Sequence, residues 1–137
     1  MPYKFIEHTA DVQFQATGDT LEEAFKESLN ALKETVCGNI TILEQETKEL
    51  KIQGTDLVNL LQKFLEEFLF LLDSEDFLVS QIKNISINQE TNELTVTISG
   101  DKAENYNFTN DVKAVTYNKM FVKQENSHWI TQVVLDV

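Results

Sequence analysis

The chain has 137 residues, 42% of them hydrophobic, and its 23 acidic and 11 basic side chains leave a formal net charge of −12. That length and apolar content suit one domain with a real core and exclude a disordered chain. The negative balance repels phosphate backbones, so direct nucleic-acid binding is disfavoured and a basic protein partner or a metal cation is the favoured companion.

The N-terminus "MPYKFIEHTAD" lacks the basic region and apolar run of a signal peptide. Residues 3–6 and 12–17 read as two short strands, the second alternating Val12, Phe14 and Ala16 with Gln13, Gln15 and Thr17. Gly18 ends that strand. Thr20 and Glu23 form a capping box, and Leu21, Ala24, Phe25, Leu29, Leu32 and Val36 recur at helical spacing, so a helix of about 16 residues closes at Gly38. The lone Cys37 excludes an internal disulfide, reads as an inert thiol near the helix end, and points to a reducing, cytoplasmic setting.

Residues 40–53 suggest a strand or a pair of strands in a hairpin, with polar "EQETK" in the middle and "ELKIQ" alternating after it. Gly54 introduces a second helix, capped by Thr55 or Asp56 and running to about residue 72. Its leucines and phenylalanines surround most of its circumference, which predicts the most buried element of the fold. Asn59, Gln62, Lys63, Glu66 and Glu67 interrupt it too often for a bilayer span, so no membrane association is expected. Strands follow at 77–88, 94–99, 112–123 and 128–136. The pattern predicts a single α+β domain over residues 1–137, with two helices packed on a mostly antiparallel sheet in two layers.

Catalytic motifs are scarce. No glycine-rich phosphate loop, C-x-x-C or H-E-x-x-H occurs, and His8 and His128 are the only histidines. One cysteine and two distant histidines are poor material for zinc. Ser127 and His128 are neighbours entering a strand and point to opposite faces, which argues against a nucleophile and base pair.

The carboxylates at strand ends carry more information. Asp11 stands just before a strand, and Asp136 is followed only by Val137 and its terminal carboxylate. If a sheet joins these ends, three negative groups crowd one place, and a hard cation such as Ca²⁺, Mg²⁺ or Mn²⁺ would neutralise them. The alternative is that Asp11 shapes a turn while Asp136 lies solvated at a fraying end. Lys113, amid Val112, Ala114 and Thr116, either serves a partner or the acidic cluster, or sits on the wet face of a strand.

Together, "EHTADVQFQATGDTLEEAF", "GTDLVNLLQKFLEEFLFLLDSEDF", "DVKAVTYNKM" and the ending "VVLDV" resemble the archease family, from Tyr3 to Val137 and in the same order. The resemblance implies a small cytoplasmic accessory protein without ligation activity of its own. Its partner would be the RtcB-type tRNA-splicing RNA ligase, whose guanylylation and multiple turnover the family promotes. It also implies a divalent metal site made by Asp11, Asp136 and, through a main-chain oxygen, Val137. Lys113, with His8, is the expected partner contact. Two departures stand out: Asn118 follows Tyr117 where many members have His, and Gly38 and Asn39 occupy a turn that is often acidic. The loop before Asp111 is also short. Two other classes compete, a stand-alone metal-dependent phosphoester hydrolase using Asp11 and Asp136, and a general chaperone or protein-binding module that needs no metal.

Overall fold

The first helix, α1 (Leu21–Cys37), starts where Thr20 turns extended and its side chain accepts the Glu23 N–H at 3.1 Å. Glu23 answers by accepting the Asp19 N–H at 2.9 Å, one residue before the position expected of a capping box. The helix stops at Gly38, whose φ of 70° lies in the left-handed region and whose N–H returns to the Glu34 carbonyl. The second helix, α2 (Leu57–Glu75), is capped by Asp56, which accepts the Asn59 N–H, and it ends at Asp76 in the left-handed conformation.

Around these helices the computed structural model, which describes residues 2–6, 11–107 and 112–137, places seven strands. They are β1 (Tyr3–Ile6), β2 (Val12–Gly18), β3 (Glu46–Gln53), β4 (Phe77–Asn88), β5 (Glu93–Lys102), β6 (Ala114–Glu125) and β7 (His128–Asp136). The expected α+β class holds, with two helices on antiparallel strands, but the strands form two sheets. One has the order β1-β2-β7-β6 and the other β3-β5-β4, every pairing being antiparallel. Both sheets pack on the helices: α1 touches β2, β7 and β4, and α2 touches β6, β4 and β3.

One continuous core results. Phe14, Phe25, Phe64, Phe77, Leu60, Leu94 and Leu135 are all fully buried or nearly so. Phe25 and Phe64 join the helices, with ring centroids 5.6 Å apart. Each such side chain contributes roughly 1.5–3 kcal/mol by leaving water.

Two sequence expectations need correction. Only the second half of 40–53 is a strand, because residues 42–45 spend their backbone and side-chain groups elsewhere. Ser80 Oγ donates to the Ile42 carbonyl, the Leu43 N–H donates to the Tyr106 hydroxyl, Ser99 Oγ donates to Glu44, and the Gln45 N–H donates to the Gly100 carbonyl. Nor is α2 the most buried element. It leaves Phe70 53% exposed, whereas α1 buries Ala24, Phe25, Ser28, Leu29, Ala31 and Leu32. Both helices touch both sheets, and α2 turns part of its apolar sweep, Phe70 included, toward solvent.

Candidate functional site

The pairing of β2 with β7 decides where the two chain ends lie. Val12 stands opposite Leu135 and Phe14 opposite Val133. Continued by one rung, that register sets Asp11 opposite Asp136, and paired residues of antiparallel strands have Cα atoms about 4.5–5.5 Å apart. Strand β6 closes the other side: Ala114 pairs with Asp136, and the Lys113 N–H donates to the Asp136 carbonyl at 2.7 Å. Residues remote along the chain thus meet at one end of the four-stranded sheet.

The sequence explains the positions. Phe14, Val133 and Leu135 face the core and lock the β2–β7 register, since a slip of one residue would turn them outward. The pleat then carries Asp11 and Asp136 away from the buried Leu135 side. Asp11 is half-buried, Asp136 is exposed, and Val137 is 36% exposed. Lys113 is exposed too, so its backbone joins the junction while its ammonium group is available to solvent. His8, the other expected partner contact, and Asp111 lie outside the described residues.

Helix α2 braces the strand that carries Lys113. Gln62 Nε2 donates to the Val115 carbonyl at 2.9 Å, and Asn59 Nδ2 donates to the Tyr117 hydroxyl. Beyond Thr116 the strand bulges, residues 117–120 standing opposite Val133 alone before pairing resumes at Phe121. Lys119 adopts a φ of 59° there, and its carbonyl accepts from Gln132 Nε2, which is in turn bonded to Gln15. The sequence did not single out these braces. Their one signal is that Asn59 and Gln62 break the apolar sweep of α2.

Two aspartate carboxylates are hard oxygen donors, and this chemistry fits a hard divalent cation better than a soft one. Among the described residues no group of three or more His, Cys, Asp or Glu side chains is gathered to hold a metal ion, at this junction, with its two aspartates, or anywhere else. No described helix is long and apolar enough to cross a membrane.

Comparison with known proteins agrees over nearly the whole chain. The sequence model of the Archease protein family (MTH1598/TM1083) matches residues 3–137. The protein archease of Pyrobaculum islandicum is 38% identical over 141 residues, covering 98% of this chain and 95% of its own. That of Methanopyrus kandleri is 31% identical with both chains fully covered. In three dimensions the solution structure of Methanobacterium thermoautotrophicum protein 1598 superposes with a TM-score of 0.85, at 31% identity and 99% coverage of each chain. The crystal structure of a Thermotoga maritima archease, described as a possible chaperone, gives 0.68 at 27% identity, covering 98% of this chain and 96% of that one. Sequence, topology and length therefore agree: the chain belongs to the archease family.

Proposed function

We propose that this protein is an accessory activator of an RtcB-type tRNA-splicing RNA ligase, promoting guanylylation of the ligase and its multiple turnover, and that Asp11, Asp136 and Val137 hold a divalent cation in doing so. The observation that carries the reading is the β2–β7 register, which pairs Val12 with Leu135 and, extended by one residue, would set Asp11 opposite Asp136 at the end of the sheet. Family membership supplies the partner class, and the charge of −12 favours a protein partner over RNA.

Asp11 and Asp136 would supply side-chain oxygens and Val137 a main-chain oxygen. The Asp136 carbonyl is already engaged by the Lys113 N–H, which fixes the backbone and leaves the side chain of Asp136 to turn outward. A bound divalent ion supplies charge neutralisation for phosphoryl oxygens. Lys113 stands beside this junction as a cationic contact for the partner, held there by a backbone bond rather than by its side chain. The domain itself needs no catalytic base in this role.

The test is guanylylation of the cognate ligase with and without this protein, under single and multiple turnover. Asp11→Asn and Asp136→Asn should keep the fold and lose the stimulation. Full stimulation by both variants would reject the assignment. The description of the Thermotoga maritima relative as a possible chaperone favours a second reading, a metal-independent protein-binding module. Protection of unrelated unfolded proteins, unaffected by chelator, would support that reading instead.

A further inference from the structure

A concave groove of about 420 Å³, sharing no lining residue with the strand-end junction, is lined by Lys26, Asn30 and Lys33 of α1, Ile40 and Thr41 of the following loop, and Gln81 of β4. Its volume falls within the range of small-molecule sites. In a chain with twice as many carboxylates as cations, a hollow whose charged lining is two lysines and no acid runs against the average surface.

Lys33 sits there in an unusual way. Its aliphatic stem lies among Leu29, Leu32, Val36, Leu72 and Leu78, and its ammonium group emerges to donate to the Ser80 carbonyl at 2.7 Å. Ser80 can offer that carbonyl because β4 bulges at this point: Val79 pairs with Gly100 and Gln81 with Ser99, so Ser80 is left without a partner on β5. Among the described residues no carboxylate lies within ion-pair distance of Lys33, although it is half-buried. An ammonium carries three donors, and among the described residues one of them has a partner. Burial holds the Lys33 pKa below the usual lysine value, as expected for a desolvated cation lacking a counter-charge.

Of the acids beside the two lysines on α1, Glu27 accepts from the Asn30 amide at 3.0 Å, and neither it nor Glu34 lines the groove. Lys26 is exposed, and Ile40 and Ile82 form an apolar wall.

We infer that this groove binds a small oxyanion, a phosphate- or carboxylate-bearing molecule with an apolar body, clamped by Lys33 and Lys26 and laid against Ile40 and Ile82. The site is independent of the strand-end junction and of the ligase reading. Lys33 supplies the fixed, partly desolvated charge and Lys26 an adjustable one. Thr41 and Gln81 offer the polar groups that orient the head.

The experiment is amide chemical-shift titration of the intact protein at constant ionic strength with phenyl phosphate, benzoate and the neutral benzyl alcohol. Saturable shifts confined to the neighbourhood of Lys26, Lys33, Thr41 and Gln81 are expected with one or both anions and not with the alcohol. Response to phenyl phosphate alone assigns a phosphate-bearing ligand, and response to both anions assigns the wider oxyanion class. Lys33→Met, which keeps the stem, should abolish the response, and Lys26→Met, at an exposed position, should weaken it about ten-fold or more with unchanged fold. Linear shifts scattered over many lysines, an equal response to benzyl alcohol, or undiminished binding by Lys26→Met and Lys33→Met would overturn the inference.

Discussion

The Lys113 N–H donates to the Asp136 carbonyl at 2.7 Å, so Asp136 is held from the β6 side, one residue beyond Leu135, where β2 pairs with the same strand. A terminal dipeptide that frays could not keep a carboxylate in place. With β7 central in its sheet, Asp136 ends a strand paired on both sides. The functional junction therefore inherits the stability of the core beneath it, and substitutions that loosen the core should act on it indirectly.

Ser28 and Thr131 give one such route. Their hydroxyls are 2.7 Å apart in the interior, and Ser28 Oγ also donates to the Ala24 carbonyl, which makes Thr131 the other donor. Both residues are completely buried. Ser28→Ala would strand the Thr131 hydroxyl without its partner, a loss of about 1–3 kcal/mol. Urea unfolding should show a lower midpoint at unchanged slope. The double variant Ser28→Ala with Thr131→Val should recover part of the loss, because no unpaired hydroxyl then remains.

Gly100 tests packing between strands. A Cβ at this position would lie 2.6 Å from the Phe77 ring and also against the Leu78 carbonyl, and Phe77 is itself almost fully buried. Neither the backbone nor a packed ring yields cheaply. Gly100→Ala is expected to cost about 1–3 kcal/mol, measured by thermal or chemical denaturation.

Asp101 makes a prediction about acid. Only 6% exposed, it accepts from the Tyr106 hydroxyl at 2.7 Å and from the Lys102 N–H at 2.8 Å, and these bonds hold its pKa below the usual carboxylate value. A carboxyl whose folded pKa is depressed adds stability above its unfolded pKa of about 3.9, and loses it as pH falls through the folded value. The gap in melting temperature between the native chain and Asp101→Asn should therefore be full at neutral pH and shrink below about pH 4. Tyr106→Phe should lower the midpoint too, because the same hydroxyl also accepts the Leu43 N–H and pins the loop after α1.

Much of the fold was legible where the signal is local. Thr20 with Glu23, Asp56 and Gly38 mark helix ends through bonds made within four residues, and each stands where the pattern put it. What was not legible depended on pairing across the chain. Residues 40–45 carry strand-like composition, yet Tyr106, Ser80 and Ser99 take up their polar groups from afar. The division into two sheets likewise has no local signature. For the candidate site, the carboxylates at strand ends were visible as residues. Their adjacency was conditional on β2 pairing with β7, a contact spanning most of the chain. Asn59 and Gln62 looked like interruptions in an apolar helix and act as braces for β6.

Gln62 is accordingly open to a direct check. Gln62→Leu would keep the helix and improve its apolar sweep while leaving the Val115 carbonyl without the amide that meets it at 2.9 Å. Faster hydrogen exchange at Ala114–Thr116 is expected relative to β7, with α2 unchanged.

Calorimetric titration of Mn²⁺, Mg²⁺ and Ca²⁺ into the native protein and into Asp11→Asn and Asp136→Asn tests the shared cation site most directly. The account predicts saturable binding of at least one of these ions near one per chain, weakened ten-fold or more by either substitution, with both variants melting as cooperatively as the native chain. Undiminished binding by both variants, or no binding of any of the three ions to the native protein, would contradict it.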